Sequence, residues 1–397
     1  MADRRSILPV IVFAQFCCTS LWFAGNGVMN ELLLSFDLNA DALGHLTSSV
    51  QFGFISGTLS FAFLTISDRF SPSIVFFVCA LFGAFFNLGI LLENNNLFSL
   101  IFFRFLTGFS LAGIYPVGMK IAADYFDKGL GRSLSYLVGA LVIGTAFPHL
   151  LKEISGSIRL EWRSVIIFTS LLAGLGGSII LFLVPDGPYR SIRQKPDLSL
   201  AYKVFRNDRF RSAAFGYFGH MWELYAFWAF VPVILAYYKE FHPEAEFSIP
   251  LISFLIIGLG GLACMIGGYI SERFGTKNTA GSALFLSGLC CLISPFIFTM
   301  NSQILLIAFL IFWGLVVVAD SPLFSTLVAH NTPPESRGTA LTIVNCVGFS
   351  ITIISIQLLN LLSTQLNPVF LYVILALGPV FGLISLFRKN RLQSTDL

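Results

Sequence analysis

An all-helical membrane protein with twelve crossings, in two similar six-helix halves, is predicted by three features of this 397-residue sequence. First, 56% of residues are apolar and only 11% charged, where a soluble domain carries about 25% charge; mean hydropathy is +0.81. Second, polar breaks divide the chain into stretches of the length that crosses a bilayer, about 20 apolar residues for ~30 Å of hydrocarbon. Third, the second half repeats motifs of the first. A chain this poor in charge has too few polar groups to cover a soluble surface. That excludes a cytosolic enzyme, a disordered chain, a disulfide scaffold and a nucleic-acid binder.

The predicted helices 1 to 12 span 7–34, 42–66, 72–93, 97–122, 131–151, 163–184, 211–238, 248–271, 278–300, 303–329, 338–362 and 368–387. Helix 1 follows Arg4 and Arg5 like a signal peptide, but its apolar run passes Leu34 and no A-x-A site follows. It reads as a membrane span. The largest polar interruption, Pro185 to Arg211, holds Asp186-Gly187-Pro188, Pro196 and seven basic residues. The expected organisation is a bundle over 1–184, a linker over 185–210, and a bundle with a short tail over 211–397.

Lys and Arg mark the cytoplasmic side of a membrane protein. With the N-terminus inside, inner segments hold 18 of the 24 bases, including Arg69, Lys128, Arg132, Arg193, Lys195, Lys203, Arg273, Lys277, Arg337, Arg388, Lys389 and Arg391. Outer segments hold four: Lys152, Arg159, Arg163 and Lys239. Both termini are therefore expected in the cytoplasm. The net charge of +3 says nothing further. The seven cysteines (Cys17, Cys18, Cys79, Cys264, Cys290, Cys291, Cys346) lie in apolar runs without CxxC spacing, as small buried hydrophobes do.

The halves repeat. Ile66-Ser67-Asp68-Arg69-Phe70-Ser71 follows helix 2, and Ile270-Ser271-Glu272-Arg273-Phe274-Gly275 follows helix 8. Gly131-Arg132-Ser133-Leu134-Ser135 opens helix 5, and Ser336-Arg337-Gly338-Thr339-Ala340 opens helix 11. The offsets are 204 and 205, at matching helix boundaries. Paired six-helix repeats point to a transporter with two pseudo-symmetric halves.

Over essentially its whole length the chain resembles the major facilitator superfamily. That family's loop motif, G-x-x-x-[DE]-R-x-G-x-[RK], is complete in Gly268, Glu272, Arg273, Gly275 and Lys277. The first copy keeps Asp68 and Arg69, but Leu64, Ser71 and Ser73 replace its other positions. Ala123-Asp124-Tyr125-Phe126 with Arg132, and Pro333-Pro334-Glu335-Ser336-Arg337-Gly338, match the family's helix 4–5 and 10–11 patterns. The G-P dipeptide that proton-linked drug antiporters carry in helix 5 is missing, and the nitrate-porter pattern does not fit. Two things follow from the resemblance: helices 1, 4, 7 and 10 line a central cavity, and Asp68, Arg69, Asp124, Arg132, Glu272, Arg273 and Arg337 gate its cytoplasmic face.

A charge at mid-bilayer costs about 2.5–3.5 kcal/mol on insertion scales, so it should face a partner or a wet cavity. Arg104 in helix 4 shares a face with Gly108, Leu111 and Tyr115. Its guanidinium fits either a substrate carboxylate or an interhelical salt bridge. Helix 7 carries His220, Trp222 and Glu223 in the run Gly219-His220-Met221-Trp222-Glu223-Leu224-Tyr225. A carboxyl there can exchange a proton as the cavity opens to each side in turn; it can equally form a buried pair with Arg104 or a hydrogen bond to His220. Asp320 precedes Ser321-Pro322 in helix 10, and proline breaks a helix. Asp320 then serves as a proton site or caps the freed backbone. Gln15, Thr19, Asn26 and Asn30 form one polar face of helix 1. Lys120 is expected to pair with Asp124 at i+4.

The candidate substrate-binding residues are Asn26, Arg104, Tyr115, His220, Trp222, Glu223 and Asp320, with Glu223 and Asp320 also in proton coupling and Glu223 the first choice. The expected function is proton-coupled uptake of a small organic solute of anionic character by alternating access. The rivals are a drug or metabolite exporter, and a non-transporting sensor with a transporter fold. No Walker A, HExxH, GxSxG or metal-ligand cluster occurs, so no enzyme activity, ATP drive, metal or cofactor is expected. Short loops and the lack of an N-x-[ST] sequon point to a bacterial inner membrane, where the protein is expected as a monomer.

Overall fold

The computed structural model describes residues 4–126, 130–190, 204–333 and 336–388, with the side chains of 4–6 and 130–132 left aside. Lys128, Arg193, Lys195, Lys203, Pro334, Glu335, Lys389 and Arg391, and the side chains of Arg4, Arg5 and Arg132, thus lie outside the described residues. Among the described residues there is no strand. Ten helices are long and apolar enough to cross a membrane. The other two crossings are an interrupted helix 1 over 4–35 and helix 2, Ala42–Phe63, whose serines, threonines and Gln51 lower its hydropathy. Twelve crossings, an even number divided six and six, bring the start of helix 1, the end of helix 12 and the break between helices 6 and 7 to one side.

The large apolar side chains that stay exposed, among them Phe98, Phe182, Phe296 and Ile304, face outward as a lipid-contacting surface does. Inside, helices approach through glycines, because membrane helices pack by close contact and not by escape from water. Gly53 and Gly57 of helix 2 lie against the backbone of Phe105 and Phe109 in helix 4 (Leu97–Leu111 and Tyr115–Tyr125). A β-carbon at Gly53 would sit 2.0 Å from the Phe105 carbonyl oxygen, so no larger residue fits.

Helix boundaries follow the sequence closely on the far side of the linker. Helices 7, 9 and 10 run Asp208–Phe241, Thr276–Phe298 and Gln303–His330. Helix 5, Leu130–Ser157, continues six residues past its expected end. The main correction concerns helix 1. It is not one continuous span: Arg4–Thr19 gives way to tight turns, a 3₁₀ turn at Asn26–Val28, and Met29–Ser35. At the break, Leu21 and Trp22 donate to the carbonyls of Cys18 and Thr19, three residues back. The Thr19 and Ser20 hydroxyls donate to the carbonyls of Gln15 and Cys17, competition that loosens a helix.

Helix 10 breaks where proline predicts. Gln303–Ala319 and Ser321–His330 meet at Asp320. Pro322 has no N–H for the carbonyl four residues back, that of Val318. The Cys264 thiol of helix 8 (Ile249–Gly258 and Gly260–Phe274) donates to it instead, at 3.3 Å. Helix 4 is also interrupted, between Leu111 and Tyr115. Three of the four helices expected to line a cavity are thus discontinuous near mid-membrane.

The bundles meet along helices 2 and 11 and along helices 5 and 8. On the side away from the linker, Gln357 of helix 11 (Arg337–Leu362) donates to Ser48 at 2.8 Å, and Asn360 donates to the Asp41 carbonyl at 3.1 Å. Ser248 donates to Glu153. At mid-depth Trp22 stacks against Tyr225 (5.8 Å) and Phe349 (5.7 Å), with Phe54 at 4.9 Å. These contacts join the two bundles at mid-depth and on the side away from the linker.

Candidate functional site

Four ionisable side chains lie deep between the helices, each at most 1% exposed: Arg104, His220, Glu223 and Asp320. Their surroundings differ. Arg104 donates to the carbonyls of Leu21 (3.1 Å) and Trp22, at the break in helix 1, and to Asn87 Oδ1 of helix 3 (3.3 Å). Asn87 in turn donates to the Ile166 carbonyl, Thr169 and Ser170 of helix 6. The guanidinium therefore replaces the backbone donors that helix 1 loses where it breaks, and ties helices 1, 3 and 6 to helix 4. No ion pair or hydrogen bond joins it to Glu223.

Glu223 faces its own bundle. Its Oε1 accepts from Trp313 Nε1 at 2.7 Å and Cys291 Sγ at 3.2 Å, and its Oε2 pairs with the Ser287 hydroxyl at 2.8 Å. An indole N–H can only donate, so Oε1 is held as an acceptor. The carboxylate cross-links helix 7 to helices 9 and 10. Trp313, Ser287 and Cys291 were not singled out from the sequence; only their positions inside apolar runs marked them.

His220 and Asp320 meet. His220 Nδ1 lies 2.8 Å from Asp320 Oδ1, so helix 7 touches helix 10 at its break. The Asp320 carboxyl makes no capping bond to the helix that follows it, which removes the capping role. The contact has the distance of an ion pair but not hydrogen-bond geometry, and His220 Nε2 and Asp320 Oδ2 have no hydrogen-bond partner either although fully buried.

They belong to a larger set. Among the described residues, the buried polar side-chain atoms without a partner sit on Gln15 and Trp22 (helix 1), Gln51 and Thr58 (helix 2), Thr145 and His149 (helix 5), His220 and Trp228 (helix 7), Ser253 (helix 8) and Asp320 (helix 10). Helices 3, 4, 6, 9, 11 and 12 carry none among the described residues. Buried polar groups are nearly always paired, so these ten residues are exceptions among the described ones. Gln51, Trp228 and His149 escape the sequence reading, whereas Gln15 lies on the polar face of helix 1 that it names.

The remaining candidates divide. Asn26 donates to Thr47 of helix 2 at 2.8 Å. Tyr115 opens the second half of helix 4, just after its interruption. Trp222 points elsewhere: its indole donates to the Ile374 carbonyl of helix 12 at 3.2 Å, so it is not gathered with the others.

On the side where helix 6 ends, Lys120 pairs with Asp68 at 2.6 Å; this corrects the expected pairing with Asp124. Arg190 of the linker donates to the Phe70 carbonyl at 2.9 Å and pairs with Asp186. Asp124 is buried, with its carbonyl accepting from Tyr189 N–H at 3.0 Å. Arg69, Glu272 and Arg273 are exposed. Arg337 Nε donates to the Ala329 carbonyl at 3.0 Å. Of the expected gating set, the Asp68 and Arg337 side chains thus bond within their own bundles, while Arg69, Glu272 and Arg273 face outward. The motif copies also end their helices differently: Gly275 takes a positive φ of 85°, while Thr65 takes φ 50° in the first, forcing a short extra helix at Ile66–Arg69.

Comparisons with known proteins agree with this architecture. The sequence profile of the Major Facilitator Superfamily matches residues 11–356. The sialic acid transporter NanX of Escherichia coli (strain K12) is 31% identical over 198 residues, 47% of this chain and 46% of that protein. The chain thus aligns with about half the length of that relative. Two crystal structures of a bacterial homologue of the human lysosomal transporter Spinster share the fold. The inward-facing unoccupied form has a TM-score of 0.69 at 15% identity, covering 96% of this chain and 95% of that one. The inward-facing occupied form scores 0.71 at 15% identity, covering 97% and 96%.

Proposed function

The chain belongs to the Major Facilitator Superfamily, and on that premise we propose that it is a secondary active transporter taking up a small organic anion together with protons. The observation that carries this reading is the confinement of unpartnered buried polar atoms to helices 1, 2, 5, 7, 8 and 10. A route across the membrane between two bundles needs such groups on the facing helices, with broken helices beside them. The similarity to a sialic acid transporter supports an acidic organic solute as the class to test first.

His220 and Asp320 carry the proton in this proposal, in preference to Glu223. Glu223 has its carboxylate filled by three side chains, whereas the His220–Asp320 pair keeps two free polar atoms at a helix break. Without a proton the pair is a net negative charge in a place where charge is costly. One proton makes it neutral, the form that can be closed away from water. An anionic solute beside it favours the loaded pair, and by reciprocity the loaded pair favours the solute. That is symport. Arg104 holds the break in helix 1; an anion reaching it here would have to displace backbone carbonyls. Asp68, Arg69, Asp124, Arg132, Glu272, Arg273 and Arg337 form the inner latch of the opposite state. The orientation with both termini in the cytoplasm, the division of the chain at 185–210, and a monomer in a bacterial inner membrane complete the reading.

The test is thermal unfolding of the purified protein against a panel of small organic acids, sialic acid first, and matched neutral and cationic solutes. A true ligand at 100 times its Kd adds about 2.7 kcal/mol. Stabilisation by acids alone is expected. A cationic solute as the best ligand would overturn the substrate class.

A further inference from the structure

A groove of about 730 Å³ lies on the lipid-facing surface between helices 9 and 12, apart from the bundle interface. We infer that it is a binding site for an anionic phospholipid of the inner leaflet. Its walls are apolar: Phe285 of helix 9 is 57% exposed and Ile384 of helix 12 is 65% exposed. Its inner end is built differently. Gly281 lies under the Phe387 ring, and a β-carbon there would meet that ring at 2.6 Å. The glycine lets helix 12 lay this aromatic across helix 9 and end the groove.

Beyond that ring the charge changes. Lys277 Nζ stands 5.2 Å from the centre of the Phe387 ring, held by a cation–π contact, and exposed Arg388 follows Phe387 directly. Lys277 and Gly281 are four residues apart, so they share one helix face with Phe285. One face of helix 9 therefore runs from an apolar slot in the membrane to a fixed cation at its inner surface. Helix 9 also begins there without a side-chain cap, so its first N–H groups point toward the same region and favour an anion. Neither base has an acidic partner among the described ion pairs. An acyl chain in the slot with a phosphate at Lys277 satisfies both ends, and basic sites between membrane helices on the cytoplasmic side select anionic headgroups. A zwitterionic lipid of the same chains brings its own cation to that mouth and gains less.

The test uses the full chain, purified and stripped of lipid, then mixed with phosphatidylglycerol or with phosphatidylcholine of the same acyl chains. Lipid retained per protein is read by native mass spectrometry. The expected result is at least tenfold stronger retention of phosphatidylglycerol. Lys277→Gln, an exposed change that leaves the fold alone, lowers it to the phosphatidylcholine level. Ser282→Phe, which fills the slot, lowers retention while Lys277 is intact. Equal retention of the two lipids by the unaltered protein would overturn the site, as would phosphatidylglycerol retention unchanged in both variants. Retention that falls with Ser282→Phe but not with Lys277→Gln would reduce the site to an unselective acyl-chain groove and overturn the anionic part.

Discussion

Arg104 and the His220–Asp320 pair are both buried charges beside a broken helix, one in each bundle, and they are satisfied in opposite ways. Arg104 spends its donors on the carbonyls of Leu21 and Trp22 and on Asn87. His220 and Asp320 touch each other at 2.8 Å and leave Nε2 and Oδ2 unfilled. A buried charge with every bond made fixes a structure. A buried pair with bonds left over can change its protonation and its company. Burial does not separate these roles, since all three residues are at most 1% exposed. The inventory of bonds does.

The largest expected effect is on that contrast. Asp320→Asn removes the group that changes charge, so accumulation driven by a pH gradient falls to background in proteoliposomes while substrate exchange persists. If accumulation survives, the unfilled atoms do not mark the coupling site. Glu223→Gln serves as the comparison within the same bundle. Its amide oxygen still accepts from Trp313 and Cys291, and its N–H donates to the Ser287 hydroxyl, which turns to the Leu284 carbonyl, so thermal stability changes by less than about 1 kcal/mol. Gradient-driven accumulation remains; its loss would return coupling to Glu223.

Arg104→Lys sharpens the other side. Lysine keeps the charge and loses the fork that reaches two carbonyls and Asn87 at once. Stability, read by thermal unfolding, falls by about 1.5–3 kcal/mol, typical of hydrogen bonds to charged groups, and the dependence on a pH gradient is unchanged. A stable Arg104→Lys protein with weakened substrate binding would make Arg104 an anion anchor. A smaller effect is expected at the proposed outer closure, where helices 2 and 11 meet. Gln357→Ala removes the bond to Ser48 and shifts the conformational balance by about 0.5–1.5 kcal/mol. A cysteine at the outer end of helix 2 should then react faster with an impermeant thiol reagent; an unchanged rate would remove this bond from the closure.

The fold was largely legible because the bilayer imposes a length on each apolar stretch, and the repeated loop motifs set the family, which the match over residues 11–356 bears out. The break at Asp320 was legible because proline acts on its own helix. The break in helix 1 was not. No proline marks it, and its stability depends on Arg104, more than 80 residues away in sequence. Much the same holds for the site. Spacing put His220 and Glu223 on one face of helix 7, three residues apart. It could not say that one meets the hinge of helix 10 and the other a cage of Ser287, Cys291 and Trp313. Trp222 joined them in sequence and turned to helix 12 in space, because neighbours on a helix face different directions. Partners from distant helices decide such cases, and a single chain does not announce them.

The central claim is that His220 and Asp320 take up a proton when substrate binds. The most direct measurement is the pH change of a weakly buffered solution of purified protein on adding a substrate identified by the ligand panel. The account predicts proton uptake by the unaltered protein, uptake that persists in Glu223→Gln, and none in Asp320→Asn at substrate concentrations that saturate it. Undiminished proton uptake in Asp320→Asn would contradict it.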